Sequence, residues 1–177
     1  KIELKTRLVG ECNVSNLLAA IIVGLRLGVP VGKIRYAVSQ IEQVEHRLNM
    51  KRTPGGITII DDAFNSNPTG SKMALDVLAM MTQGKRIVVT PGMIELGDRQ
   101  SELNEAFGVK IANCADVAIV VGEYNREAIV AGIESVTPRT AKIHKVNSFA
   151  EAQTLLATML RPGDTILYEN DLPDTFK

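Results

Sequence analysis

Between residues 57 and 170 strand-like runs alternate with helix-like ones. "ITIIDD", "RIVVTPG", "VAIVVG", "AKIHKV" and "DTILYEN" are short and apolar or β-branched, and helical spacing fills 70–81, 101–113, 125–133 and 148–160 between them. A strand that reaches the next strand through a helix pairs with it in parallel, and the helices must cover the faces of the resulting sheet. The pattern predicts an α/β fold, a Rossmann-like three-layer domain with a mainly parallel sheet. "AKIHKV" is the most polar of the runs and suits a place near an edge, whereas the other four read as buried on both faces. "RLNMKR" adds an edge strand, paired to the strand at 57 through a turn at Pro54, Gly55 and Gly56.

The 45% hydrophobic content supports a proper core in 177 residues, but aromatics are only 4% and Trp is absent, so Val, Ile, Leu and Ala must fill it. Lys plus Arg and Asp plus Glu number 20 each, which leaves no basic field for nucleic acid. No apolar run approaches the roughly 18 residues of a membrane span, and the first residues do not resemble a signal peptide. Cys12 and Cys114 are far apart and read as free thiols. His46 and His144 stand alone, without metal-ligand spacing. The abrupt start at "KIELKTRLVG" reads as a piece of a longer protein.

Ahead of the alternating region, residues 1–9 alternate enough for one or two short strands. Apolar positions Leu17, Leu18, Ile21, Ile22 and Leu25 predict a helix over 14–27, closed by Gly28, and a shorter helix follows over 31–41. A charged segment reaching Arg47 breaks the pattern and marks a boundary.

In a doubly wound sheet ligands bind beyond the carboxyl ends of the strands. "DDAFNSNPTG", "TPGMIELG", "VGEYN" and "ENDLPD" all fall there. The first is denser in polar groups than a strand-to-helix turn requires. Asp61 and Asp62 read either as a strand end or as ligand carboxylates. Asn65 and Asn67 are turn residues or substrate contacts, and Thr69 or Ser71 suits a helix N-cap. The helix that starts there also offers free N–H groups to an anion. Asn13 is an N-cap of the first long helix or, with Asn16 three residues on, part of a base-recognition pair, since an amide offers the donor and acceptor an adenine edge needs. Arg47 is a solvated charge or a phosphate ligand. No GxxxxGK(S/T) occurs and no GxGxxG follows a strand, so the chain cannot cradle a triphosphate in the P-loop manner.

Taken in order, "GECNVSNLLAAI", "HRLNM", "IIDDAFNSNPTGSKMALDVL" and "PGMIELG" resemble segments of the Mur ligase family, most closely its MurF type. The resemblance covers nearly the whole chain. It implies an ATP-dependent ligase of peptidoglycan precursor synthesis in the cytoplasm, joining D-alanyl-D-alanine to a UDP-muramoyl-peptide through an acyl phosphate. Residues 1–46 would be the end of the central ATP-binding domain, a short α+β remnant, and 47–177 the Rossmann-like C-terminal domain. Carried over by position, Asn13 and Asn16 contact adenine, Arg47 the γ-phosphate and Asp62 (less so Asp61) the ribose. Asn65, Asn67 and Ser71 face the incoming amine. The P-loop and the Mg²⁺ ligands would lie ahead of Lys1, so the chain alone is expected to be inactive. Cys12 stands where the family usually has His and Phe64 where it has Tyr. "TPGMIELG" lacks the Asp of a G-D-M segment, and "YENDLPDTF" replaces a V-K-G-S-R-like loop. These departures keep open a MurF-like paralogue acting on another cell-wall amine. The same residues are also compatible with a non-catalytic Rossmann-like binding module or with a scaffold protein.

Overall fold

The computed structural model describes residues 2–138 and 141–171. Two helices lead, α1 (Glu11–Arg26) and α2 (Val31–Gln40), followed by an antiparallel hairpin of β1 (Asn49–Arg52) and β2 (Thr58–Asp62). The alternating region then runs α3 (Pro68–Ala79), β3 (Arg86–Thr90), a short 3-10 turn (Gly97–Arg99), α4 (Gln100–Cys114), β4 (Val117–Val121), α5 (Arg126–Glu134), β5 (Lys142–Val146), α6 (Phe149–Met159) and β6 (Thr165–Glu169).

The strands form a six-stranded sheet in the order β1-β2-β6-β3-β4-β5, parallel except for β1. The polar β5 is an edge strand, as its composition requires. The last strand does not add to an edge. The α6 crossover carries the chain back from β5, and β6 slots between β2 and β3.

Helices cover both faces, unequally. On one side Leu75 and Leu78 of α3, Phe107 and Ile111 of α4, and Ile129 and Ile133 of α5 pack with Ile60, Val88, Ala118 and Leu167 of the sheet. On the other, Ala152 and Leu156 of α6 pack with Ile87, Ile119 and Ile166. Helix α6 lies over β4 and β5, so the β2 end of that face is left bare. Consequently β2 is not buried on both faces as its sequence predicts: only Ile60 is fully buried. Helices α4 and α5 come unusually close. A methyl group at Gly108 would run into the Ile129 carbonyl, and one at Gly132 into the Glu105 carbonyl.

The leading segment differs from expectation. Residues 2–9 form no strand, so the segment is helical rather than α+β. Alternation alone does not make a strand; a ladder partner does, and none of the described residues pairs with these. Instead Arg7 offers its carbonyl to the Gln43 side-chain amide at 3.1 Å. Helix α1 starts three residues early, at Glu11, with Gly10 rather than Asn13 at its N-cap.

Candidate functional site

Strand alternation decides where the two adjacent carboxylates of β2 go, because successive side chains leave a strand on opposite faces. Asp61 pairs in register with Tyr168 and faces the α6 side, where its carboxylate lies 3.0 Å from His46 Nδ1. Asp62 pairs in register with Glu169 and faces the α3 side, accepting the Leu48 N–H at 2.8 Å. Burial pushes the Asp62 carboxyl above its ordinary range, against the opposing pull of the Leu48 N–H and the Arg47 charge.

Residues 46–48 therefore straddle the end of β2. His46 is tied to one aspartate and the Leu48 amide to the other. His46 and Leu48 have φ of 57° and 52°, the left-handed region that side chains other than glycine rarely enter. Leu48 is nonetheless buried, and Gly10 at the start of α1 lies against its side chain. Between these anchors Arg47 is exposed, its guanidinium carbon 4.3 Å from the centroid of the Phe64 ring. Phe64 donates its own N–H to the His46 carbonyl at 3.3 Å. His46, which looks isolated in sequence, thus belongs to the frame around Arg47.

The loop between β2 and α3 is built from the inside. Asn67, not Thr69 or Ser71, caps α3: its Oδ1 accepts the N–H groups of Thr69 at 3.1 Å and Gly70 at 2.9 Å. The helix consequently starts at Pro68, two residues before its predicted start, and the expected anion seat is filled by the protein's own amide oxygen. Ser71 is only 1% exposed, and its hydroxyl donates to the Asn67 carbonyl at 2.9 Å. It is a strut of the loop rather than a contact open to substrate. Ser66, also buried, donates to Glu169 Oε1 at 2.5 Å, and its hydroxyl oxygen lies 2.5 Å from that of Ser71. Burial raises the Glu169 carboxyl to about 7, and its Oε2 has no hydrogen-bond partner among the described residues. Asn65 is exposed between these anchors. Sequence reasoning missed Ser66 and Glu169; the available signal was a carboxylate directly after the buried apolar run "TILY".

Asn13 and Asn16 lie one turn apart on α1. Asn13 donates its side-chain amide to the Val9 carbonyl at 2.7 Å, which leaves its Oδ1, while Asn16 is exposed. The contact of Gly10 with Leu48 places the start of α1 next to Arg47 and Asp62.

The loop after β3 is fixed by buried amides. Asn104 and Asn125 donate to the Met93 carbonyl at 3.0 and 3.1 Å, and Asn125 also donates to the Pro91 carbonyl at 3.0 Å. Asn104 Oδ1 accepts the Met93 N–H at 2.9 Å. Across the bare part of the α6 face runs a cleft of about 620 Å³, reaching from Lys51 and Ile59 to Phe149 and Gln153 and bordered by Asp61 and Tyr168.

Residues 46–168 match the family described as "Mur ligase, glutamate ligase domain". The chain belongs to the Mur ligase family. Among its relatives, the UDP-N-acetylmuramoyl-tripeptide–D-alanyl-D-alanine ligase of Mycobacterium leprae is 29% identical over an alignment that covers 93% of this chain and 35% of the relative. The UDP-N-acetylmuramate–L-alanine ligase of Streptomyces avermitilis is 30% identical, with 86% and 34% covered. The crystal structure of MurF from Acinetobacter baumannii superposes with a TM-score of 0.79 at 26% identity, covering 95% of this chain and 36% of that one. MurF of Thermotoga maritima, solved in complex with ADP, shares the fold with a TM-score of 0.78 at 24% identity, with 92% and 35% covered. The chain thus spans about a third of the length of these Mur ligases. Among the described residues no helix is long and apolar enough to cross a membrane.

Proposed function

We propose that the chain is part of an ATP-dependent, amide-forming ligase of peptidoglycan precursor synthesis, most similar to the MurF type. In this reading residues 1–46 end a central ATP-binding domain and residues 47–177 form the domain that brings the incoming amine. The observation that carries it is the mounting of Arg47. Two aspartates at the end of β2 hold its neighbours in place, so a permanently charged, fork-shaped group stands at the carboxyl edge of the sheet beside the 65–67 loop. The match of residues 46–168 to the Mur ligase family supports the same conclusion.

The roles are those the family resemblance implies, and each of these side chains keeps a polar group for its part. ATP supplies the phosphoryl group that activates the precursor's carboxylate. Arg47 holds the γ-phosphate, the oxygen of Asp62 not bonded to Leu48 takes the ribose, and Asn13 Oδ1 and Asn16 meet adenine. Asn65 and the Asn67 amide nitrogen face the amine. This part of the protein positions reactants and stabilises charge. The Mg²⁺ ligands, as the family resemblance implies, would lie ahead of Lys1. A nucleotide-linked precursor places the reaction in the cytoplasm.

The test is a ligation assay on the full-length protein with ATP, Mg²⁺, a UDP-muramoyl-peptide and a panel of amines that includes D-alanyl-D-alanine. Joint release of ADP and an amide product is expected, and the 177-residue chain alone should give neither. Absence of product with every amine would overturn the reading. A second reading, a MurF-like paralogue using another amine, is favoured by Phe64, which lacks the usual Tyr hydroxyl, and by the ending "YENDLPDTF". Residues 172–176 of that ending lie outside the described residues.

A further inference from the structure

We propose that Glu169 is a positioning residue: its carboxyl carries a proton, and that proton completes a hydrogen-bond chain through Ser66 and Ser71 that holds Asn67 and the 65–67 loop in place. The inference rests on the ligase reading for what the loop holds and goes beyond it in giving Glu169 a part.

The first argument is a count of hydrogens. Contacts run in series from β6 to α3. The Ser66 hydroxyl lies 2.5 Å from Glu169 Oε1 and 2.5 Å from the Ser71 hydroxyl, which in turn lies 2.9 Å from the Asn67 carbonyl. Met93 Sδ, 3.2 Å from the Ser71 hydroxyl, is a thioether and adds no hydrogen. Each link of the chain needs one. A hydroxyl owns a single hydrogen and a carboxylate none. With Glu169 ionised, Ser66 donates to Glu169 and Ser71 to Asn67. Nothing is left between two serine oxygens that sit closer than unbonded oxygens can. A carboxylic acid supplies the missing hydrogen. The first bond then reverses, so that Glu169 donates to Ser66, Ser66 to Ser71, and Ser71 to the Asn67 carbonyl.

The surroundings favour the same proton. Glu169 is 1% exposed, and its Oε2 has no hydrogen-bond partner among the described residues. A charged oxygen left bare in such a place costs far more than a neutral one. Asp62 stands beside it across the β2–β6 ladder, on the same face and roughly 5 Å away between strands. Two carboxylates so close resist ionising together. Behind Asp62 lies the Arg47 charge. The α3 side presents Ser66, Ser71 and the Met93 thioether, none of them ionisable. Strand β3, the other neighbour of β6, is uncharged from Ile87 to Thr90. Burial, joined by the Asp62 charge and opposed by the Ser66 hydroxyl, puts the Glu169 carboxyl at about 7. The chain is therefore complete below neutrality and loses a hydrogen to solvent above it. Ionisation forces Ser66 and Ser71 apart or takes Ser71 from Asn67, and either move shifts the residues that face the amine.

The experiment follows the Glu169 carboxyl carbon and the Asn65, Ser66 and Asn67 amides of the 177-residue chain by NMR, from about pH 5 to about pH 9. Glu169 should titrate at about 7, and the amides should shift with the same midpoint. In Glu169→Gln the side-chain NH₂ supplies the missing hydrogen at every pH, so the amides should hold their low-pH positions throughout. Ser66→Ala cuts the chain but keeps Glu169, which should then titrate without moving the Asn67 amide. A carboxyl already ionised at the acid end, a titration that leaves the amides still, or an Asn67 shift that survives in either variant would each overturn the proposal. The effect on the amine is read in the full-length enzyme, with whichever amine it ligates best from a panel containing D-alanyl-D-alanine. The ratio of wild-type to Glu169→Gln KM for that amine cancels the titration of the amine itself. It should be near one at about pH 6 and rise roughly three- to tenfold by about pH 8.5, the worth of one hydrogen bond, while the kcat ratio stays constant. A KM ratio that does not move with pH sinks the positioning role and leaves the ligase reading. The NMR transitions in a protein that ligates no amine support the proton lock and sink that reading.

Discussion

At the scale of single residues, the carboxyl edge of the sheet separates groups that hold from groups that offer. Asn67 holds: Asn67→Ala removes the acceptor for two helix N–H groups and should cost about 1 kcal/mol in urea unfolding. Arg47 offers. In the full-length enzyme Arg47→Ala should lower turnover about 10²-fold with little change in melting temperature. Phe64→Ala, which removes the ring the guanidinium rests on, should raise the KM for ATP more than it lowers kcat. Unchanged kinetics in both variants would remove Arg47 from the site. Glu169 makes stability depend on pH. The fold keeps its proton up to about pH 7, while the unfolded chain releases it near 4.5, so the folded state binds more protons in that window. The stabilisation is full below about 4.5 and is lost as pH rises through 7, by about 3 kcal/mol in all. Glu169→Gln should flatten that part of the stability profile, with the largest gain over wild type above pH 7. An unchanged profile in the variant would show that Glu169 does not titrate there. The adjacent carboxylates of Asp61 and Asp62 and the loop asparagines were legible in sequence as a polar cluster. Their division of labour was not, because it depends on which face of β2 each residue leaves by and on Ser66 and Glu169, 103 positions apart in the chain.

At the scale of elements, the strand–helix alternation is a local signal and survives folding almost unchanged, whereas boundaries follow contacts that the sequence does not display. Helix α3 begins where Asn67 can turn its amide oxygen onto Thr69 and Gly70. Residues 2–9 have the alternation of a strand but no ladder to join. The closeness of α4 and α5 was equally hidden, since "FGVK" and "VAGI" look like ordinary helix with a tolerated glycine. Gly132→Ala should therefore destabilise, despite the better helix propensity of alanine, by about 1–3 kcal/mol or more, because a backbone carbonyl rather than a flexible side chain stands in the way. Denaturant midpoints would show it, and a stabilised Gly132→Ala variant would mean that the two helices can move apart freely.

At the scale of the whole molecule, the two leading helices are the loosely held part. Helix α1 has no fully buried residue and exposes Val14, Leu18, Ile22 and Val23, so it draws little stability from the rest of the chain. Hydrogen exchange in the 177-residue chain should be fast throughout α1 and slow in β3, β4 and β6; equal protection would contradict this. In the proposed ligase the apolar face of α1 is where the remainder of an ATP-binding domain would rest. The position of β6 has a different consequence, for synthesis rather than for chemistry. A ribosome delivers β1 through β5 first, yet β2 and β3 share no ladder until residues 165–169 emerge and bridge them. The nascent chain holds two half-sheets with open, bondable inner edges, which is the state most exposed to wrong pairing. Closure of the sheet waits on β6, so a chain cut before residue 165 would leave the inner edges of β2 and β3 without the strand that bridges them.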